Sequence, residues 1–75
     1  MKIPNDSIVV TDYEKHLFEN YYWNDDEFFY YNGIDYRTLH INETISGYKF
    51  VFMRDINGEN VRVKIAMFKK IYGLM

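Results

Sequence analysis

The sequence predicts an α+β domain: an N-terminal helix, an antiparallel sheet of about four strands from two hairpins, and a short C-terminal helix. Three observations lead there. Thr11-Asp12-Tyr13-Glu14 has the Thr-x-x-Glu form of a capping box at a helix start. Asn32-Gly33 and Asn57-Gly58 each divide a run of β-forming residues, the signature of a tight hairpin. Met67 to Tyr72 carries apolar residues at helical spacing just ahead of Gly73.

Taken in order, Ile8-Val9-Val10 reads as a short strand or an extended lead-in. The helix after the capping box runs from Asp12 to about Tyr22. On it Tyr13, Leu17, Phe18, Tyr21 and Tyr22 share an apolar face, with Asp12, Lys15, His16, Glu19 and Asn20 opposite. Trp23 falls toward the polar side. Asn24-Asp25-Asp26-Glu27 is a loop, because short polar side chains compete with the backbone for hydrogen bonds.

"FFYYNGIDYRTLHI" then folds as a hairpin. A two-residue turn at Asn32-Gly33 pairs Tyr31 with Ile34 and Phe29 with Tyr36. Phe29, Tyr31, Ile34 and Tyr36 share one face, and Phe28, Tyr30, Asp35, Arg37 and Leu39 the other. A second hairpin turns at Asn57-Gly58 and pairs Phe52 with Val63 and Phe50 with Ile65. Its core face is Tyr48, Phe50, Phe52, Val61, Val63 and Ile65; its other face is Lys49, Val51, Met53, Arg62 and Lys64. In the final helix Met67, Phe68, Ile71 and Tyr72 point inward while Lys69 and Lys70 point out, near the negative end of the helix dipole.

With 75 residues and no Cys, the chain makes one domain, residues 1–75, held by apolar burial without disulfides or a thiolate metal site. No apolar run is long enough for a membrane span. Lys2 is followed by Pro4, Asn5 and Asp6, which is no signal peptide, so the expected compartment is the cytoplasm. An enzyme is not expected. Ser7 and Ser46 lack a neighbouring base, and the four Gly form no phosphate loop. His16 and Glu19, one helical turn apart, supply two of the roughly three ligands that a catalytic metal needs. No catalytic residue, metal or cofactor is assigned.

Net charge is −2, but the charge is divided. Residues 1–46 carry Lys2, Lys15 and Arg37 against nine acids, a net of −6; residues 47–75 carry six cations against Asp55 and Glu59, a net of +4. Residues 18–36 hold nine aromatic side chains and five carboxylates without a single Lys or Arg. Solubility alone would accept either sign of charge.

Phe, Tyr, Met, Ile, Asn and Lys supply 39 residues while Gly, Ala, Arg and Pro supply only 9. In that skew, and in size, the chain resembles the small early host-takeover proteins of lytic bacteriophages. The resemblance implies an inhibitory interaction protein acting on host machinery in an infected bacterium. Carboxylates arrayed like the phosphates of DNA can occupy a basic groove. The expected function is therefore mimicry: binding a basic, nucleic-acid-binding host protein through an acidic aromatic surface. Asp12, Glu19, Asp25, Asp26, Glu27 and Asp35 would carry its charge, and Trp23, Phe28 and Tyr30 would be its buried anchors.

The alternative uses the other half. Lys49, Arg62, Lys64, Lys69 and Lys70 make a basic patch suited to phosphates. Around it, "GYKFV…NGENVRVKIAMF" resembles the hairpin-then-helix DNA-binding modules of phage HNH homing endonucleases at Gly47, Tyr48, Val51, Gly58, Val63 and Ala66. Without the nuclease motif, that resemblance implies nucleic-acid contact and no cleavage. Two oppositely charged halves can also associate head to tail or hold a homodimer together.

Overall fold

Where the sequence predicts a helix, the chain forms a strand pair. In the computed structural model, which describes residues 6–74, Ile8–Tyr13 is β1 and His16–Asn24 is β2, antiparallel across a turn at residues 14–15. Residues 1–5, which include Lys2, Pro4 and Asn5 of the N-terminal stretch expected to be no signal peptide, lie outside the described residues, as does Met75. The helix of Asp12 to Tyr22 is absent, and so is its capping box. Glu14 takes a φ of 56° in the turn, and Thr11 Oγ1 donates to Asp12 Oδ1 at 3.1 Å.

The helical spacing has another origin. Val10 and Tyr13 are the buried residues of β1, and Phe18 and Tyr21 those of β2, each pair three apart. A regular strand would bury every second residue. Here the register passes from Val10↔Tyr21 to Asp12↔Leu17, so Thr11 alone opposes residues 18–20. This is a β-bulge, with Asn20 at a φ of 67°. The backbone groups it leaves unpaired are met from the far end of the chain. The Tyr72 hydroxyl accepts from the amides of Thr11 (3.0 Å) and Asp12 (3.1 Å) and donates to the Asp12 carbonyl at 2.7 Å.

Asp25 and Asp26, both at positive φ, make a two-residue turn into β3 (Glu27–Tyr31), a conformation that Asp tolerates and hairpins favour. Then β4 (Tyr36–Thr38) completes a four-stranded antiparallel sheet, β1-β2-β3-β4. Its last loop is not the predicted two-residue turn. Asn32 Oδ1 accepts from the amides of Ile34 and Asp35, which makes the loop four residues long. Phe29 therefore pairs with Thr38 instead of Tyr36. The slip is of two residues, so the two faces survive it.

The second sheet is β5 (Asn42–Glu43), β6 (Lys49–Arg54) and β7 (Asn60–Lys64), in that order. Asp55 Oδ1 accepts from the amides of Asn57 and Glu59, building a five-residue loop where a two-residue turn was predicted. Phe52 now pairs with Arg62. This slip is of one residue, and an odd slip turns one strand over relative to its partner: β7 keeps Val61 and Val63 inward as predicted, while β6 exchanges its faces. Val51, Met53, Val61 and Val63 are buried, whereas Phe52, predicted as core, is 52% exposed.

The only helix among the described residues, α1 (Ile65–Ile71), follows β7 directly. It starts two residues earlier than predicted. Ile65 and Phe68 are buried, while Met67 and Ile71, expected inside, are exposed. Gly73 ends it at a φ of 67°. The Leu74 amide bonds the Lys69 carbonyl and the Gly73 amide that of Lys70, the paired closure of a glycine C-cap.

One core joins the three layers: Val10, Tyr13, Phe18, Tyr21 and Phe28 from the first sheet, the four residues of β6 and β7, and Ile65 and Phe68 from the helix. The fold is therefore mostly β, two antiparallel sheets and one short helix, and not the predicted α+β arrangement. No helix among the described residues is long and apolar enough to cross a membrane.

Candidate functional site

The exchange of faces in the second sheet creates a solvent-facing row. Phe50, Phe52 and Arg54 of β6 alternate with the buried Val51 and Met53, and Asn60, Arg62 and Lys64 of β7 lie beside them. Asn42 of β5 pairs with Phe50. None of these outward positions holds a carboxylate. The Arg62 guanidinium lies 4.4 Å from the centre of the Phe50 ring and 5.9 Å from that of Phe52, and its Nη1 donates to the Tyr48 hydroxyl at 3.2 Å. Lys64 Nζ sits 5.0 Å from the centre of the Tyr48 ring. Each such cation–ring contact is worth about 0.5–1 kcal/mol at an exposed site.

Two consequences follow for the rings. Phe50 faces outward yet is only 7% exposed, because Arg62 and its neighbours cover it. Phe52 stands 5.2 Å from Phe50 and keeps half its surface open. Beside the row, Gly47, Tyr48, Lys49, Ile65, Ala66 and Lys69 line an open groove of about 420 Å³. Of the five expected basic residues, Arg62 and Lys64 are in the row and Lys49 and Lys69 on the groove. Lys69 is engaged by Asp26 at 2.6 Å, and Lys70 is exposed on α1.

The expected acidic site is rearranged. Phe28 is 0% exposed in the core, and Trp23 and Tyr30 are half-buried against it, so Phe28 is no surface anchor. The outer face of the first sheet carries Val9, Tyr22, Asn24, Glu27, Phe29, Tyr31, Tyr36 and Thr38, with Phe29 itself covered at 6% exposed. There Tyr36 meets Tyr22 at 5.6 Å and Tyr31 at 4.8 Å. The six carboxylates do not form one row. Asp25, Asp26 and Glu27 cluster at the β2–β3 turn, and Asp35 lies in the loop at the other end of β3. Asp12 lies beside Tyr72, and Glu19 in the bulge lines a depression with Arg54 and Ile56. The expected two-turn spacing of Asp12 and Glu19 belonged to the absent helix.

A third cluster joins the sheets. His16 Nδ1 at the start of β2 is 2.7 Å from Asp55 Oδ2 and 4.0 Å from Glu59 Oε2. Asp55 is buried, and the His16 hydrogen bond foremost, with the Glu59 and Asn57 amides, holds its carboxyl below the usual range against the opposing effect of burial. The partner expected for His16, Glu19, is not in this cluster. The separation of 39 positions between His16 and Asp55 hid the pairing; an Asp opening an Asn-Gly loop was its only trace in the sequence. Comparison with protein-family models, with curated proteins and with solved structures finds no match to this chain.

Proposed function

We propose that the chain binds single-stranded nucleic acid on the outward face of its three-stranded sheet. The observation that carries this is the row of Tyr48, Phe50 and Phe52 interleaved with Arg62 and Lys64, free of carboxylates at its outward strand positions. Bases stack on exposed rings for about 1–3 kcal/mol each, and neighbouring cations meet the phosphates. Phe52 is the ring open to a base. Arg62 and Lys64 are held over rings and so lose less freedom on binding. A flat sheet cannot reach bases already stacked inside a duplex, so single strands are the fitting class. The basic half of the chain thus keeps the role that its charge suggested, with the rings added.

The test is fluorescence anisotropy of labelled oligo-dT and oligo-U against a duplex of equal length. Phe52→Ala should weaken single-strand binding by about 5- to 150-fold, the cost of one stacked base. Arg62→Ala should lower the slope of log affinity against log salt by about 0.7. Duplex binding as tight as single-strand binding, indifferent to Phe52→Ala, would rule the reading out.

A second reading is favoured by the opposite face. Tyr22, Tyr31 and Tyr36 are outward beside Glu27, with no cation at the outward positions around them. Tyrosines flanked by Glu27 and the acidic turn at Asp25 and Asp26 suit a basic protein, of the kind a phage inhibitor would hold away from DNA. Asp25→Lys with Glu27→Lys should then abolish capture of a nuclease-resistant partner while leaving oligonucleotide binding intact.

A further inference from the structure

We propose that His16, Asp55 and Glu59 form a binding site for one divalent transition-metal ion, which clasps the two sheets together. The three donor atoms lie within 4.8 Å of one another. Ligands bound at about 2.0–2.2 Å in a tetrahedron stand roughly 3.3 Å apart. His16 Nδ1 and Asp55 Oδ2 need to open slightly from 2.7 Å, and Glu59 Oε2 to close from 4.0 Å. Glu59 is on the surface, with a side chain 69% exposed, and moves by rotation about its own bonds.

Charge balance argues the same way. Both carboxylates approach the same imidazole nitrogen, which has a single proton to offer. It bonds Asp55 and leaves Glu59 beside a second negative charge. A divalent cation in place of that proton satisfies all three groups. The support is already built. Asp55 Oδ1 is occupied by the amides of Asn57 and Glu59, which leaves Oδ2 for the ion. The Ile56 amide bonds the Leu17 carbonyl at 2.9 Å, fixing the loop beside His16. Outer contacts of this kind hold metal ligands in place. One imidazole with two carboxylates suits Zn²⁺, Mn²⁺ or Fe²⁺; Mg²⁺ prefers oxygen ligands alone and keeps its waters.

The experiment is a titration of the full chain with Zn²⁺ alone, after treatment with EDTA, read by calorimetry, thermal melting and the ¹⁵N shifts of the imidazoles. Expected are a 1:1 complex, a rise in Tm of several degrees, a shift of the His16 Nδ1 resonance and no response to Mg²⁺. Glu59→Gln, at a surface position, should fold and bind at least tenfold more weakly. His16→Gln should lose the rise in Tm, whatever its own starting Tm. No Tm response in the unaltered chain, or Zn²⁺ binding that both variants leave unchanged, would overturn the proposal. Nucleic-acid binding is not a readout of this test, so neither result decides the function proposed above.

Discussion

Two tyrosine hydroxyls show how single atoms secure this fold. That of Tyr72 serves three backbone groups at the bulge, two amides and a carbonyl. Tyr72→Phe keeps the ring on Phe68, 4.3 Å away, and removes those bonds with the weaker 3.5 Å contacts to the Thr11 and Asp12 side chains. Urea melts should show a loss of about 1–3 kcal/mol, near the lower figure because water reaches the bulge. An unchanged midpoint would mean that water replaces the hydroxyl without cost. The Tyr13 hydroxyl is governed by burial, which raises its pKa above 10.0 in spite of the Lys64 amide that donates to it. The unfolded chain ionises this group at its ordinary value, so above about pH 10 it binds fewer protons than the folded chain. Stability is then fully present below that pH and falls as pH rises. Denaturant melts from pH 8 to 11 should show the fall, and Tyr13→Phe should flatten it.

At the scale of elements, hairpins were more legible than helices, and loops least of all. The second hairpin and the closing helix with its Gly73 stop are present, because alternation and helical spacing marked the elements, although the faces of β6 and the inward places of Met67 and Ile71 came out otherwise. The first helix is not. A bulge that buries Val10 and Tyr13, then Phe18 and Tyr21, imitates the three-residue step of a helix, and Thr11 and Glu14 completed the disguise. Both Asn-Gly turns were read as minimal, whereas side chains of Asn32 and Asp55 organise longer loops. One slip was even and harmless; the other was odd and turned Phe52 outward. The candidate site was thus half visible: Arg62 and Lys64 were named from charge, but their rings were assigned to the core. The bulge can be tested against strand propensity. Val is a better strand former than Asn, yet a β-branched residue is strained at a φ of 67°. Asn20→Val, at an exposed position, should cost about 1–2 kcal/mol in a denaturant melt. A gain in stability would show that the bulge is not needed.

Across the whole molecule, the division of charge along the sequence becomes a division across the core. One outer face carries tyrosines and an acid, the other phenylalanines and cations, with the buried cluster between them. Fifteen aromatic residues exceed what this core accepts. It takes Tyr13, Phe18, Tyr21, Phe28 and Phe68, and others cover both outer faces, where a ring is useful for contact. A chain of this size has roughly 4–11 kcal/mol of stability, so contacts that join the layers matter out of proportion. Phe68 is the main one, with Trp23, Phe28 and Tyr72 around its ring.

The span of the Tyr72 contact also bears on when the protein can fold. Thr11 and Tyr72 are separated by 61 positions, and ribosomes add about 5–20 residues per second. For roughly 3–12 seconds after Thr11 is made, the first strand pair has no hydroxyl to complete its bulge. During synthesis β1 is therefore an unfinished edge bearing Ile8, Val9, Val10 and Tyr13, open to whatever backbone comes near.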